Sequence, residues 1–147
     1  MPRKSRRAGS KERTIPDSNH VLRYCRPSYV KMEKIKAGAF DLRANEESIS
    51  VNWMEFFKDA ASTDAQVAKI RKIMDDKFTL ASKGRFARLN VGEVKMRIRG
   101  AQVRHLPAKN DPSHAGINVR GEQNREFSLE LANLVKPDDI FPAVLPE

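Results

Sequence analysis

The stretch "NVGEVKMRIRG", Asn90 to Gly100, decides the fold. Read as a strand, its alternation turns Val94, Met96 and Ile98 inward and lays Lys95, Arg97 and Arg99 along the outside as a basic stripe. Read as a helix, Asn90 is the N-cap and Glu93 its capping-box partner. Arg97 and Arg99 then suit the negative end of the helix dipole, and Gly100 stops the last turn. The start and stop signals agree, so a helix is expected here. Strands flank it: "GRFARLNV" follows a Ser82-Lys83-Gly84 turn on one side, and "AQVRHL" follows on the other.

Working toward the N-terminus, "STDAQ" opens another helix, with Thr63 and Gln66 as its capping box. Val67, Ile70 and Met74 share one face of it to about Lys77, and Lys69, Arg71 and Lys72 belong to a solvated surface. "WMEFFKDA" is expected as a helix capped by Asn52, with Glu55 three residues on. Before it, "SISVNW" is the clearest short strand, Ile49, Val51 and Trp53 alternating with Ser50 and Asn52. Ile35, Phe40 and Leu42 are expected to face a core. "HVLRYCRP" is strand-prone through Val21, Leu22, Tyr24 and Cys25 until Pro27 forbids continuation in a central ladder. Toward the C-terminus, "AGINV" is a short strand. "REFSLELANLV" is a helix with Phe127, Leu131, Leu134 and Val135 on one stripe. "KPDDIFPAVLPE" holds three prolines and is expected as an extended tail. The expected class is therefore α+β, or a small α/β. It comprises one domain over residues 20–147, with a short mixed sheet and about four helices, behind a flexible basic arm of residues 1–19.

The 147 residues suffice for one domain with a real core. Its 39% apolar content includes no run near the roughly 18 residues that span a bilayer, so no membrane partner is expected. Met1 to Arg13 has no apolar stretch behind it, which argues against a secretory signal. Cys25 is alone and cannot form an internal disulfide, in keeping with a reducing, cytoplasmic setting. The net charge is +9 and unevenly placed. Arg3, Lys4, Arg6, Arg7, Lys11 and Arg13 stand against Glu12 alone, and such an arm attracts phosphates with little sequence preference.

The familiar chemical signatures are missing. One cysteine and three histidines, without HExxH or CxxC, give no zinc pattern. GxxxxGK[ST], GxGxxG and GxSxG are absent, as are paired-cysteine/histidine finger spacing and RNP1. The paired His-x-Thr/Ser motif of two-histidine phosphoesterases is absent too, since "HLP" holds His105 and "HAG" holds His114. No metal or cofactor is implied.

A scattered polar set remains. "RHLPAKNDPSHAGI", Arg104 to Ile117, contains two of the three histidines, and the third opens the "HVLR" strand. A histidine beside an arginine can move a proton while the guanidinium holds a phosphate. On that logic His20, Arg23 and His114 are the candidate catalytic residues, as acid/base, anion clamp and second acid/base. Ser50, His105 and Ser113 are candidate substrate contacts, and the six basic arm residues are candidate nucleic-acid contacts. Alone, each histidine has an ordinary structural explanation; convergence in one cleft is what gives the set meaning.

Three classes of function follow as expectations. The first is a basic domain that binds or acts beside nucleic acid through electrostatic contacts. The second is a metal-independent hydrolase or group transferase acting on a phosphate-bearing nucleotide or RNA. The third is a non-catalytic accessory subunit gripping a larger protein partner.

Overall fold

The chain around Asn90 is helical. In the computed structural model, which describes residues 13–119 and 125–145, Asn90 Oδ1 accepts from the Glu93 N–H at 2.9 Å. The helix it starts, Val91–Arg97, buries Val91 and Val94. The helix ends at Arg97 with Ile98 as its extended C-cap, so Gly100 does not stop it as expected; Gly100 sits in the following turn at φ +86°, a left-handed position that suits a residue without Cβ. Glu93 does not complete a reciprocal box; its carboxylate lies 3.5 Å from Lys136 Nζ.

Eight strands lie among the described residues: β1 (His20–Cys25), β2 (Val30–Lys31), β3 (Lys34–Ile35), β4 (Ile49–Trp53), β5 (Arg85–Asn90), β6 (Gln102–His105), β7 (His114–Asn118) and β8 (Ile140–Pro142). Three α-helices lie among the described residues rather than about four: α1 (Thr63–Lys77), α2 (Val91–Arg97) and α3 (Arg125–Leu134). The main sheet runs β6-β7-β4-β1-β5-β8, and β2 and β3 form a separate hairpin. Every pairing in the main sheet is antiparallel, so it is not the mixed sheet expected, and the class is α+β.

Alternation sorts the side chains into two layers. Val21, Val51, Leu89, Val103 and Ile117 pack on one face with Phe40 and the apolar sides of α2 and α3. Leu22 and Phe86 point the other way and meet Met54, Ile70 and Val67, so α1 covers the opposite face. Hydrophobic burial from both sides is what holds the sheet between helices.

Three local expectations are corrected and one is sharpened. "WMEFFKDA" makes only one 3-10 turn, Met54–Phe56. Asn52 cannot cap it, because it lies buried in β4 with its amide turned to Asp111 and Ser113. The cap of α1 is Ser62, whose Oγ accepts from Ala65 N at 3.1 Å, one residue before the expected Thr63. The C-terminal segment is extended as expected, and part of it packs as an edge strand: Ile140–Pro142 pairs with Arg85–Ala87, where a proline is tolerated. Finally, order begins before His20. Thr14 bridges Arg104, Ile15 N–H donates to Val103 O at 3.1 Å, and Ile15 is fully buried along the β6 edge.

Candidate functional site

The register carries polar side chains onto the sheet face that α1 leaves open. Leu22 pairs with Asn52 and Asn52 with His114, and directly opposed residues share a face. Ser50, two positions from Asn52 on β4, belongs to that face as well. It is the exposed residue of an otherwise buried strand. A cavity of about 650 Å³ opens over these residues. The end of α1 borders it through Met74 and Lys77, and Tyr29, Arg43 and Glu46 line it from the segment between β1 and β4.

Arg23 is the central cation. Its place in the sequence alternation is the core side, but the β1–β4 ladder ends after Leu22 and Asn52. The guanidinium fills the gap: Nε donates to Ala39 O at 2.9 Å and Nη1 to Ser50 O at 2.8 Å. Among the described residues no carboxylate pairs with it directly. Burial pushes its pKa down from the ordinary arginine value, with Glu46 opposing that shift and Arg43 adding to it. An arginine remains protonated regardless, so this is a half-buried positive charge with no counter-ion in contact among the described residues. Its neighbour Cys25 is also affected by burial, which pushes the thiol up to about 12. That thiol is no nucleophile near neutral pH.

The carboxylates of the cavity are held within the fold. Asp111 is fully buried, receiving Asn52 Nδ2 at 2.7 Å on one oxygen and Lys77 Nζ at 2.8 Å on the other. Asp41 accepts from Ser128 Oγ at 2.7 Å, and Glu46 accepts from the Arg43 N–H at 3.1 Å. Arg26 stacks on Tyr29, its Cζ 5.7 Å from the ring centre. Arg23 and Arg43 are therefore cations of the cavity that no carboxylate side chain of the described residues grips.

His114 lies beside this charge with its tautomer fixed. Nδ1 is 2.8 Å from Leu106 O, an oxygen that only accepts, so Nδ1 carries the proton. Nε2 faces Ser50 Oγ at 3.3 Å. Gly116, opposite Ser50, permits the close approach behind them; a Cβ there would stand 2.5 Å from Ser48 Oγ and 2.9 Å from a Leu106 methyl.

Of the sequence-derived candidates, Arg23, Ser50 and His114 line the cavity together. His20 stands outside it, its Nδ1 2.6 Å from Glu55 Oε2 and its backbone N–H donating to the same carboxylate. His105 is on the core side, 5% exposed, between Trp53 and Phe56, with Nε2 donating to Pro112 O at 2.7 Å. Ser113 is fully buried and accepts from Asn52. Arg13 lies over Trp53 and reaches His105 Nδ1 at 3.5 Å, so it anchors the fold. Arg3, Lys4, Arg6, Arg7 and Lys11 fall outside the described residues. Arg26, Arg43, Lys77 and Asn52 were missed as site residues. Only tertiary folding brings them to one place, and no spacing in the sequence encodes it.

Among the described residues no group of three or more His, Cys, Asp or Glu side chains is placed to hold a metal ion. None of the described helices is long and apolar enough to cross a membrane. The chain matches no family model, no curated protein and no solved structure.

Proposed function

We propose that this protein binds a phosphate-bearing nucleotide, free or at the end of an RNA strand, in the cavity over Ser50 and His114. The carrying observation is Arg23: a half-buried guanidinium, hydrogen-bonded to two carbonyls and, among the described residues, ion-paired to no carboxylate, on the wall of a cavity of about 650 Å³. Even partial burial of a cation without a counter-ion carries a cost, and a phosphate is the ligand that relieves it while using the planar donor set of arginine. Arg43 adds charge, and the rings of Tyr24, Tyr29 and Phe78 border the same space as apolar surfaces for a base. The volume is within the range of small-molecule sites.

The basic segment ahead of Arg13 supports a role in general attraction to nucleic acid. Its contribution would fall steeply with salt, whereas recognition inside the cavity would not.

Calorimetric titration with adenosine 5′-monophosphate and with a short 5′-phosphorylated RNA tests the reading. Saturable binding is expected, weakened more than about tenfold by Arg23→Met, since one charge-assisted contact is of that order. Equal binding by a folded Arg23→Met protein would refute it.

A further inference from the structure

We infer that Ser50 is a nucleophile toward phosphate esters, with His114 as its base and Arg23 holding the phosphoryl oxygens. The inference rests on the ligand reading above and adds a reaction to it. Three arrangements support it. Ser50 is the exposed position of β4 while its strand neighbours Ile49 and Val51 are buried, so the hydroxyl stands on a rigid element and faces the cavity. The Leu106 carbonyl locks the proton of His114 on Nδ1, leaving the Nε2 lone pair toward Ser50 Oγ at 3.3 Å. The guanidinium of Arg23 is hydrogen-bonded to the backbone of Ser50 itself, at 2.8 Å, which keeps a positive charge beside the attacking residue. Nucleophile, base and orienting acceptor thus form a chain of the kind that activates a serine hydroxyl.

Ser113 gives the contrast. Its hydroxyl is fully buried and bound to the Asn52 amide, so it has neither access nor a base.

The step balances without a metal or redox partner. Ser50 Oγ forms a bond to phosphorus as the bond from phosphorus to the leaving alcohol oxygen breaks. The hydroxyl proton passes to His114 Nε2 and from there to the leaving oxygen. Water then attacks the phosphoserine ester, giving its proton to His114, and the Ser50 hydroxyl is restored as phosphate or a phosphomonoester departs. The negative charge on the phosphoryl oxygens is met by Arg23.

The test uses the whole chain with two probes, bis(4-nitrophenyl) phosphate and the 4-nitrophenyl ester of thymidine 5′-monophosphate. Release of 4-nitrophenolate is followed, and acid-quenched protein is mapped by peptide mass spectrometry. Expected are turnover and a phosphoryl adduct on Ser50. Ser50→Ala should abolish the adduct, and His114→Gln should slow release by about a hundredfold or more, the usual contribution of a general base. Circular dichroism confirms that both variants fold. Undiminished release by Ser50→Ala, or an adduct elsewhere, would overturn the inference. Adenosine 5′-monophosphate binding by the unaltered protein separates the two levels. Binding without ester cleavage overturns the nucleophile and leaves the ligand reading standing; absence of binding removes both.

Discussion

At the residue scale, Asp111 shows how burial and charge combine. It is fully buried between the Asn52 amide and Lys77, whose side chain keeps 38% of its exposure. Asp111→Ala should cost about 2–4 kcal/mol in urea unfolding, less than for a wholly buried pair because water reaches Lys77. A loss under about 1 kcal/mol would mean the network is idle. Cys25 gives a pH dependence. Its folded pKa is raised to about 12 from an ordinary 9.0 by burial, so the folded chain retains a proton that the unfolded chain releases. Stability should therefore fall as pH rises from about 9 toward 12. The thiol should react with a disulfide reagent at pH 8 only after unfolding; reaction at the same rate in the native state would contradict its burial. Arg23, Ser50 and His114 could be singled out in the sequence because their chemistry is recognisable residue by residue, and the fold sets them along one cavity. The sequence did not disclose that His20 is held by Glu55, since that contact joins residues 35 positions apart.

At the element scale, the helix at Asn90 was legible because its cap and the basic residues of its last turn lie close together in sequence, although it ends at Arg97, before the expected stop at Gly100. Its cap also donates to Asp17 O at 3.2 Å and Asn19 O at 3.3 Å. Asn90→Ala should therefore cost about 1–2 kcal/mol, at the upper end for a cap, while Asn90→Ser should recover part of it. Urea midpoints of the two variants measure this, and equal losses would show that the cap contributes nothing. Strands β1, β4, β5, β6 and β7 were legible from alternation and from the prolines and glycines that bound them. The false helix at Trp53 arose because Asn52 reads locally as a cap, whereas its amide is claimed by Asp111 and Ser113 about sixty residues away. Strand β8 was hidden for a similar reason: its prolines signal a tail, and the β5 edge that accepts it is distant in sequence.

At the scale of the whole molecule, an antiparallel sheet lies between α1 on one side and α2 with α3 on the other, and the cavity opens where α1 ends. The chain from Arg13 to Ile15 closes the β6 edge and so belongs to the folded domain. Removing residues 1–12 should leave thermal stability unchanged and weaken RNA binding at low salt. Removing residues 1–15 also deletes buried Ile15 and bares a sheet edge, which should cost at least about 2 kcal/mol and promote association seen by light scattering. Equal stability of the two truncations would refute the edge role. Arg23 and the cavity remain the centre of the functional claim, and nitrogen-15 NMR of the arginine side chains reads them directly. Titration with adenosine 5′-monophosphate should shift the Arg23 Nε resonance and the His114 ring saturably, at one common affinity. Shifts confined to surface arginines, with Arg23 and His114 unmoved, would contradict a phosphate site in this cavity.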